Sequence, residues 1–234
     1  MSGKLYLIPS TIGDTEISDV IPASVQNIIN DINFYIVENE RTARRQLIKM
    51  GIKTPIDELT FFVLNKHTDR NEIAKFLDPC SENNMGLLSE AGVPAVADPG
   101  SEIVALAHSK NIKVVPMVGP SSILLALMAS GLNGQCFAFH GYIPVKGPER
   151  IKKIKQLEGN SASWKQTQIF IEAPYRNNQL LADLIKTCNG GTQICVACDI
   201  STKSEFIKTM SADKWKKNKV DLHKRPTLFL LQKY

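Results

Sequence analysis

The chain is expected to fold as two α/β domains, with a mostly parallel sheet in the first and a mixed sheet in the second. Three observations predict this. Strand-like runs, polar or glycine-bearing loops and helix-like segments alternate repeatedly up to Met117, the pattern of a parallel sheet flanked by helices. Beyond Met117 the rhythm changes and there are more strands per helix. With 234 residues, 43% of them hydrophobic, the chain can bury a sizeable core and is long enough for one large or two modest domains. The expected division is 1–116 and 117–234.

In order, Lys4 to Ile8 is apolar and ends in Pro9-Ser10-Thr11-Ile12-Gly13-Asp14, a strand running into a polar loop. That loop lacks G-x-G-x-x-G, so the dinucleotide fingerprint is absent. Ile21 to Asp31 is helix-like, and Asn33 to Val37 reads as a strand leading into Glu38-Asn39-Glu40-Arg41. The next helix stops near Gly51, as the C-terminal glycine rule expects. Leu59 to Leu64 is strand-like and ends in Asn65-Lys66-His67-Thr68.

Met85 to Leu88 is a short apolar run that opens into Ser89-Glu90-Ala91-Gly92-Val93-Pro94, and Gly92 permits close approach to the backbone. Asp98-Pro99-Gly100 then precedes an apolar-periodic segment to His108, with Ser101 or a neighbour as the helix cap. Ile112 to Met117 makes another strand, and Gly119-Pro120-Ser121-Ser122 feeds the helix behind it. Either loop alone reads as an ordinary βα turn. The two together, one helix and one strand apart, point to a ligand site at the carboxyl edge of an open sheet.

In the second half, Gln135 to Gly141 alternates like a strand, Pro148 to Leu157 is a basic helix and Thr167 to Ile171 is a strand. Leu180 to Thr187 is helical, and Gln193 to Asp199, Glu205 to Met210 and Pro226 to Gln232 are strands. His140 in its apolar strand reads as a satisfied core residue.

Net charge is +5, divided unevenly: residues 1–116 carry 11 Lys and Arg against 15 Asp and Glu, and 117–234 carry 17 against 8. The basic runs KGPERIKKIK and KWKKNK read as solvated helix faces or as a surface for a polyanion. No apolar run reaches membrane-spanning length and the N-terminus goes straight into a strand pattern, so a soluble cytoplasmic protein is expected. The cysteines number five, an odd count without a secretory context, which predicts free thiols. Cys195 and Cys198 form a C-x-x-C within a strand, where their separation sends the side chains to opposite faces, so core packing is expected rather than a metal.

The segments LYLIPSTIG, VENERTARRQL, LLSEAGVPAVADPG, VVPMVGPSS, GYIPVKGPER, IFIEAPYR and ACDISTKSEF, in that order, resemble the tetrapyrrole methylase superfamily. Within it they are most similar to the ribosomal RNA small-subunit methyltransferase I branch, which methylates a cytidine ribose 2′-hydroxyl. The resemblance spans nearly the whole chain. It implies two α/β domains, S-adenosylmethionine in the cleft between them, and a homodimer. By motif position, the cofactor contacts it implies fall on Ile12, on Ala91, Gly92, Val93 and Val96, and on Ser121 and Ser122. From the second domain they fall on Glu172 and Ile200.

S-Adenosylmethionine carries a carboxylate and a sulfonium, which suit backbone N–H groups at a helix start and nearby carbonyls without a pyrophosphate cradle. A ribose hydroxyl is a weak nucleophile, so a base or an alkoxide-stabilising cation is expected. Candidates are Glu38, Arg41, His67 and Lys203, all in loops at strand ends. Glu38 and Arg41 read equally as a helix-start charge pair, His67 as a structural or solvated histidine, and Lys203 as a lysine facing water.

The chain departs from the branch at several polar positions. Glu-Asp-Thr-Arg appears as Glu38-Asn39-Glu40-Arg41, and Ser-Asp-Ala-Gly-Thr-Pro as Ser89-Glu90-Ala91-Gly92-Val93-Pro94. The branch's Arg-Glu-Leu-Thr-Lys run appears as Cys198-Asp199-Ile200-Ser201-Thr202-Lys203, and the proline before Gly119 becomes Val118. Three functions stay open: an RNA ribose methyltransferase, a methyltransferase for a tetrapyrrole or other small molecule, and a non-catalytic cofactor- or RNA-binding paralogue. Against the second, the first loop lacks the glycine-rich G-x-G-P-G-D run of that branch.

Overall fold

The computed structural model describes residues 3–65 and 68–234. The chain divides into two compact units, Met1–Ser121 and Ser122–Tyr234, so the boundary lies a few residues beyond Met117.

The first unit is a five-stranded, all-parallel sheet. Its strands are β1 (Lys4–Ile8), β2 (Phe34–Val37), β3 (Thr60–Val63), β4 (Met85–Leu88) and β5 (Lys113–Pro116), in the order β3-β2-β4-β1-β5. The period-two alternation of each strand sorts its apolar residues onto two faces. Tyr6, Ile8, Tyr35, Val37 and Leu88 meet helices α2 (Ala23–Ile29) and α3 (Glu40–Lys49) through Val25, Ile29, Ala43 and Leu47. On the other face Leu5, Ile36, Met85 and Leu87 pack with Phe76, Leu77 and helix α5 (Gly100–Ser109), through Ile103 and Ala107. A sheet covered on both faces explains why β4 is buried along its whole length. Gly86 in its centre leaves room for its neighbours, since a Cβ there would lie 2.7 Å from Ile8 Cδ1 and 2.8 Å from Tyr35 Cδ1.

Two helix starts are refined. The helix expected over 21–31 is α2, shortened to Ala23–Ile29 because Pro22 holds an extended backbone at its N-cap, and a separate short helix, α1 (Ile17–Val20), precedes it. At the start of α5 the acceptor is the neighbour Asp98, not Ser101 itself: Asp98 Oδ1 accepts the N–H groups of Ala95 and Gly100, each at 2.8 Å. A short helix α4 (Arg70–Ile73) follows β3.

The second unit holds a mixed sheet, ordered β6-β7-β10-β8-β9: β6 (Phe137–Tyr142), β7 (Thr167–Ile171), β8 (Gln193–Cys198), β9 (Phe206–Ser211) and β10 (Thr227–Gln232). Only the β6–β7 pair is parallel; the other neighbours are antiparallel. Phe170, Ile194, Val196, Phe229 and Leu231 face α7 (Gly147–Trp164), α8 (Asn177–Thr187) and Trp215 of the short α9 (Ala212–Trp215). Trp215 Nε1 donates to Ile194 O at 2.9 Å, which satisfies its one polar atom inside the core. Helix α6 (Ser122–Ser130) lies on β8, β9 and β10, and Thr209 Oγ1 donates to Ser130 O at 2.7 Å.

All five cysteines are free. Cys198 belongs to the core under α7 and α8 while Cys195, also fully buried, does not, so the two thiols of the C-x-x-C point to opposite faces. Burial pushes the Cys195 thiol up to about 11. Among the described residues no group of His, Cys, Asp and Glu is arranged to hold a metal ion, and no helix is long and apolar enough to cross a membrane.

Candidate functional site

Because every strand of the first sheet runs the same way, the loops after β1, β2, β3, β4 and β5 all emerge at its carboxyl edge. This is where open α/β sheets bind ligands. The loops after β1 and β4 are joined there. Ser10 N donates to Gly92 O at 2.8 Å and Gly92 N to Ser10 O at 3.2 Å. Gly92 has φ +74°, and a Cβ on it would stand 3.2 Å from both Ile12 Cγ2 and Pro120 O. Glycine is therefore required by conformation and by crowding at once. The same edge excludes a side chain at Gly119, where a Cβ would fall 2.1 Å from Pro9 Cβ.

Ile12, Ala91, Gly92 and Val93 are thus brought together. Ala91 is exposed and Val93 and Ile12 are half-buried. Val96, 49% exposed, stands between Ala95 and Ala97, both with positive φ, 64° and 62°. Left-handed alanines are strained and persist only where neighbours hold them, here through the Asp98 carboxylate. Burial, opposed by those two N–H groups, raises the Asp98 pKa.

Glu38 follows β2, and its Oε1 accepts Glu90 N–H at 3.3 Å, across the β2–β4 boundary. Burial raises its pKa, and the negative charges of Asp98 and Glu90 add to this against that hydrogen bond. Arg41 is exposed in the first turn of α3 and forms no ion pair with Glu38 among the described residues, so the two are not a helix-start charge pair. The helix start is capped instead by Asn39, whose Oδ1 accepts Thr42 N–H at 3.2 Å. Asparagine and aspartate cap equally well, so the departure at this position keeps the helix start. Glu38, Asn39, Leu64, Asn65, Glu90 and Glu102 line a cavity of about 660 Å³. His67 lies outside the described residues.

In the second unit β7 and β8 both run antiparallel to β10, so Glu172 and Ile200 follow their strands at one edge. Glu172 is buried: Oε2 takes Arg150 Nη2 at 2.6 Å, and Oε1 takes Arg176 Nη2 at 2.7 Å and Ala173 N–H at 2.8 Å. Burial alone would raise its pKa, but the Arg176 hydrogen bond, the Ala173 N–H and both guanidinium charges outweigh it and hold the carboxyl below its ordinary value. Both oxygens of the carboxylate are thus engaged within the protein. Arg150 also donates to Pro144 O at 2.9 Å and Asp183 Oδ2 at 3.1 Å, tying the loop after β6 and helix α8 to the same carboxylate.

Ile200 is buried between Asp199 and Ser201, both with positive φ, and borders a cavity of about 300 Å³ with Leu125, Met128 and Glu205. Asp199 is fixed by Arg225 Nε at 2.8 Å. Lys203, in the same loop, is exposed. Ser121 and Ser122, half-buried, meet at the division of the two units. His140 Nε2 bonds Gln168 Oε1 at 2.7 Å, so it is satisfied, though half-buried rather than in the core.

Sequence reasoning missed Ser10, Gln46 and Arg150. Arg150 had a visible signal: Arg150, Ile154, Leu157 and Ser161, spaced four, three and four apart, are the buried stripe of α7, so the basic run KGPERIKKIK is not a wholly solvated face. Nothing local marks Ser10 or Gln46, whose partners lie on other loops.

Comparison with known proteins agrees with this architecture. The family profile described as Tetrapyrrole (Corrin/Porphyrin) Methylases matches residues 8–214. The ribosomal RNA small subunit methyltransferase I of Xylella fastidiosa is 32% identical over 201 residues, covering 86% of this chain and 69% of that protein. Its counterpart from Vibrio cholerae is 28% identical over 207 residues, covering 88% and 68%. Among solved structures, diphthine synthase superposes with a TM-score of 0.70 at 15% identity, covering 98% of this chain and 90% of that one. Uroporphyrin-III C-methyl transferase from Thermus thermophilus, complexed with S-adenosylhomocysteine, does so with a TM-score of 0.54 at 16% identity, covering 99% and 98%. The chain therefore belongs to the tetrapyrrole (corrin/porphyrin) methylase family, on its ribosomal RNA small subunit methyltransferase I branch, and is an S-adenosylmethionine-dependent methyltransferase.

Proposed function

We propose that this methyltransferase acts on a ribose 2′-hydroxyl of small-subunit ribosomal RNA. The observation that carries the reading is Glu38: a half-buried carboxylate of raised pKa, at the carboxyl edge of the sheet, on the wall of a cavity of about 660 Å³. That volume suits a nucleoside-sized group. A carboxylate with raised pKa is a stronger base than an exposed one, as a hydroxyl nucleophile needs. Arg41, one turn on and unpaired with Glu38, is proposed to meet the developing alkoxide or a flanking phosphate, and His67 and Lys203 remain further candidates for the polar chemistry.

The residues of this chain fit the cofactor. Gly92 lets the loop pack its main chain against Ile12 and Pro120 where a Cβ would not fit, and the exposed Ala91 and half-buried Val93 on either side carry short side chains that leave the loop open to a ligand. We assign cofactor contacts to Ile12, Ala91, Gly92, Val93, Val96 and Ser121 in the first unit. Those in the second are Ser122, Glu172 and Ile200, with Glu172 contributing main chain. When bound, S-adenosylmethionine supplies an electrophilic methyl group for in-line displacement. The protein's part is to position the acceptor oxygen, exclude water and take up its proton.

The reading extends to a homodimer working in the cytoplasm, with the second unit, +9 by formal charge over 117–234, facing RNA. The test is mass spectrometry of ribosomal RNA nucleosides from cells with and without the gene. Loss of one 2′-O-methylated nucleoside from the small subunit is expected. An unchanged nucleoside profile would move the acceptor to another molecule. Sedimentation of the purified protein tests the dimer.

A further inference from the structure

The segment from the end of β2 into α3 grips the loop after β4 from two directions. Gln46 Nε2 donates to the carbonyl of Glu90 at 2.9 Å, and the N–H of the same residue donates to Glu38 Oε1 at 3.3 Å. Gln46 Oε1 also accepts from Ser10 Oγ at 2.6 Å, so one amide is tied to the loops after both β1 and β4. Those are the loops that meet through the paired Ser10 and Gly92 main chains. The Ser10 hydroxyl has a single proton and a second acceptor, Ser89 O at 2.8 Å, whereas the bond from Gln46 Nε2 to Glu90 O shares its proton with nothing else.

Gln46 is half-buried, and the residues by which α3 enters the core are Ala43 and Leu47, so its amide is not needed to seat the helix. The segment it restrains carries Gly92, Ala95 and Ala97 with positive φ, conformations that persist only when surrounding contacts over-determine them.

We infer that Gln46 is a positioning residue of the cofactor site: with Glu38 it clamps the main chain of Glu90, setting where Ala91 to Val93 stand relative to Ile12. The inference rests on the assignment of those loops to S-adenosylmethionine. A clamped loop is already in its binding conformation, while a loosened one occupies it for only part of the time, and apparent affinity falls by that fraction.

The experiment is calorimetric binding of S-adenosylhomocysteine to the full chain and to Gln46→Met, Glu38→Gln and Glu38→Ala, with melting temperatures alongside. Gln46→Met keeps length and helix propensity but loses both bonds. Its Kd should rise on the order of tenfold, the scale of one or two net hydrogen bonds, with the melting temperature within about 4 °C of wild type. Glu38→Gln retains an oxygen for the Glu90 N–H and should bind as wild type does, whereas Glu38→Ala should be weakened. Faster amide exchange over Ala91 to Val93 in Gln46→Met, with core strands unchanged, would locate the effect in the loop.

Gln46→Met binding within twofold of a wild type that binds would overturn the clamp alone. Should Gln46→Met fail to fold, equal binding by Glu38→Gln and Glu38→Ala would overturn it. A wild type with no affinity would overturn the cofactor assignment, and the clamp with it.

Discussion

Arg150 Nη2 meets Glu172 Oε2 at 2.6 Å, with the two side chains 2% and 0% exposed. An ion pair so fully withdrawn from water gains Coulomb energy but loses hydration. It is tolerated because Pro144 O and Asp183 take two further Arg150 donors while Arg176 and Ala173 N–H occupy the second Glu172 oxygen. Arg150→Ala leaves the Glu172 carboxylate short of a partner in the interior, and a loss of about 3–5 kcal/mol is expected. Urea unfolding measures it, and a cost under about 1 kcal/mol would show that water reaches the site.

Glu172 also predicts an acid limb. Its folded pKa lies below the ordinary 4.5, so the stability it contributes is fully present above the unfolded value and is lost as pH falls through the depressed folded value. Glu38 has the opposite sign. Its folded pKa lies above 4.5, so its contribution is present below the unfolded value and is lost as pH rises through the folded one. Glu38→Gln should therefore raise the melting temperature at pH 7 while Glu172→Gln lowers it. Scanning calorimetry at pH 4 and pH 7 compares them; a stabilised Glu172→Gln at pH 7 would contradict the assignment.

Gly92 tests the cofactor loop. Its φ of +74° and a Cβ position 3.2 Å from Ile12 Cγ2 and Pro120 O mean that even alanine strains the loop. Gly92→Ala is expected to cost about 1–3 kcal/mol, and Gly92→Trp to abolish S-adenosylmethionine binding. Calorimetry on folded protein, checked by circular dichroism, decides; wild-type affinity in folded Gly92→Trp would move the site elsewhere.

If Glu38 takes the acceptor's proton and Arg41 steadies the charge that develops, Glu38→Gln and Arg41→Ala should each lower the single-turnover methyl-transfer rate by about 10²–10⁴-fold with cofactor affinity nearly intact. The wild-type rate should fall as pH drops through the Glu38 pKa, at a higher pH than an ordinary carboxylate would dictate. Unchanged rates in both variants would leave the pair a role in loop geometry only.

The basic helix α7 presents Lys152 and Lys155 to solvent and Lys153 half-buried beside Gln156. If this face holds RNA, neutralising all three should flatten the dependence of log K on log salt by about 2 units, the share of three released counterions on a single strand. Filter binding across a salt series reads the slope, and a wild-type slope in the triple variant would take α7 out of the RNA surface.

The sequence by itself determined the succession of strands, the change from a parallel to a mixed sheet, and the glycines at Gly51 and Gly92. These are local properties. Alternation of apolar residues, a positive φ or a proline break acts within a few residues and leaves its mark in the order of the letters. The resemblance to the methylase family was legible for the same reason, being carried by short loop motifs at fixed strand ends.

Which side chains meet was decided by the tertiary structure. The order β3-β2-β4-β1-β5 puts β4 beside both β1 and β2, which brings Gln46 and Glu38 to Glu90 and Ser10 to Gly92. Arg150 belonged to a run that reads as solvated lysine and arginine until the sheet order β6-β7-β10 carries Glu172 beneath it. The Asn39 cap and the Asp98 acceptor at the start of α5 lie between these extremes. There the local sequence offered several backbone partners, and the hydrogen bonds actually formed were settled by where the packed sheet held each loop.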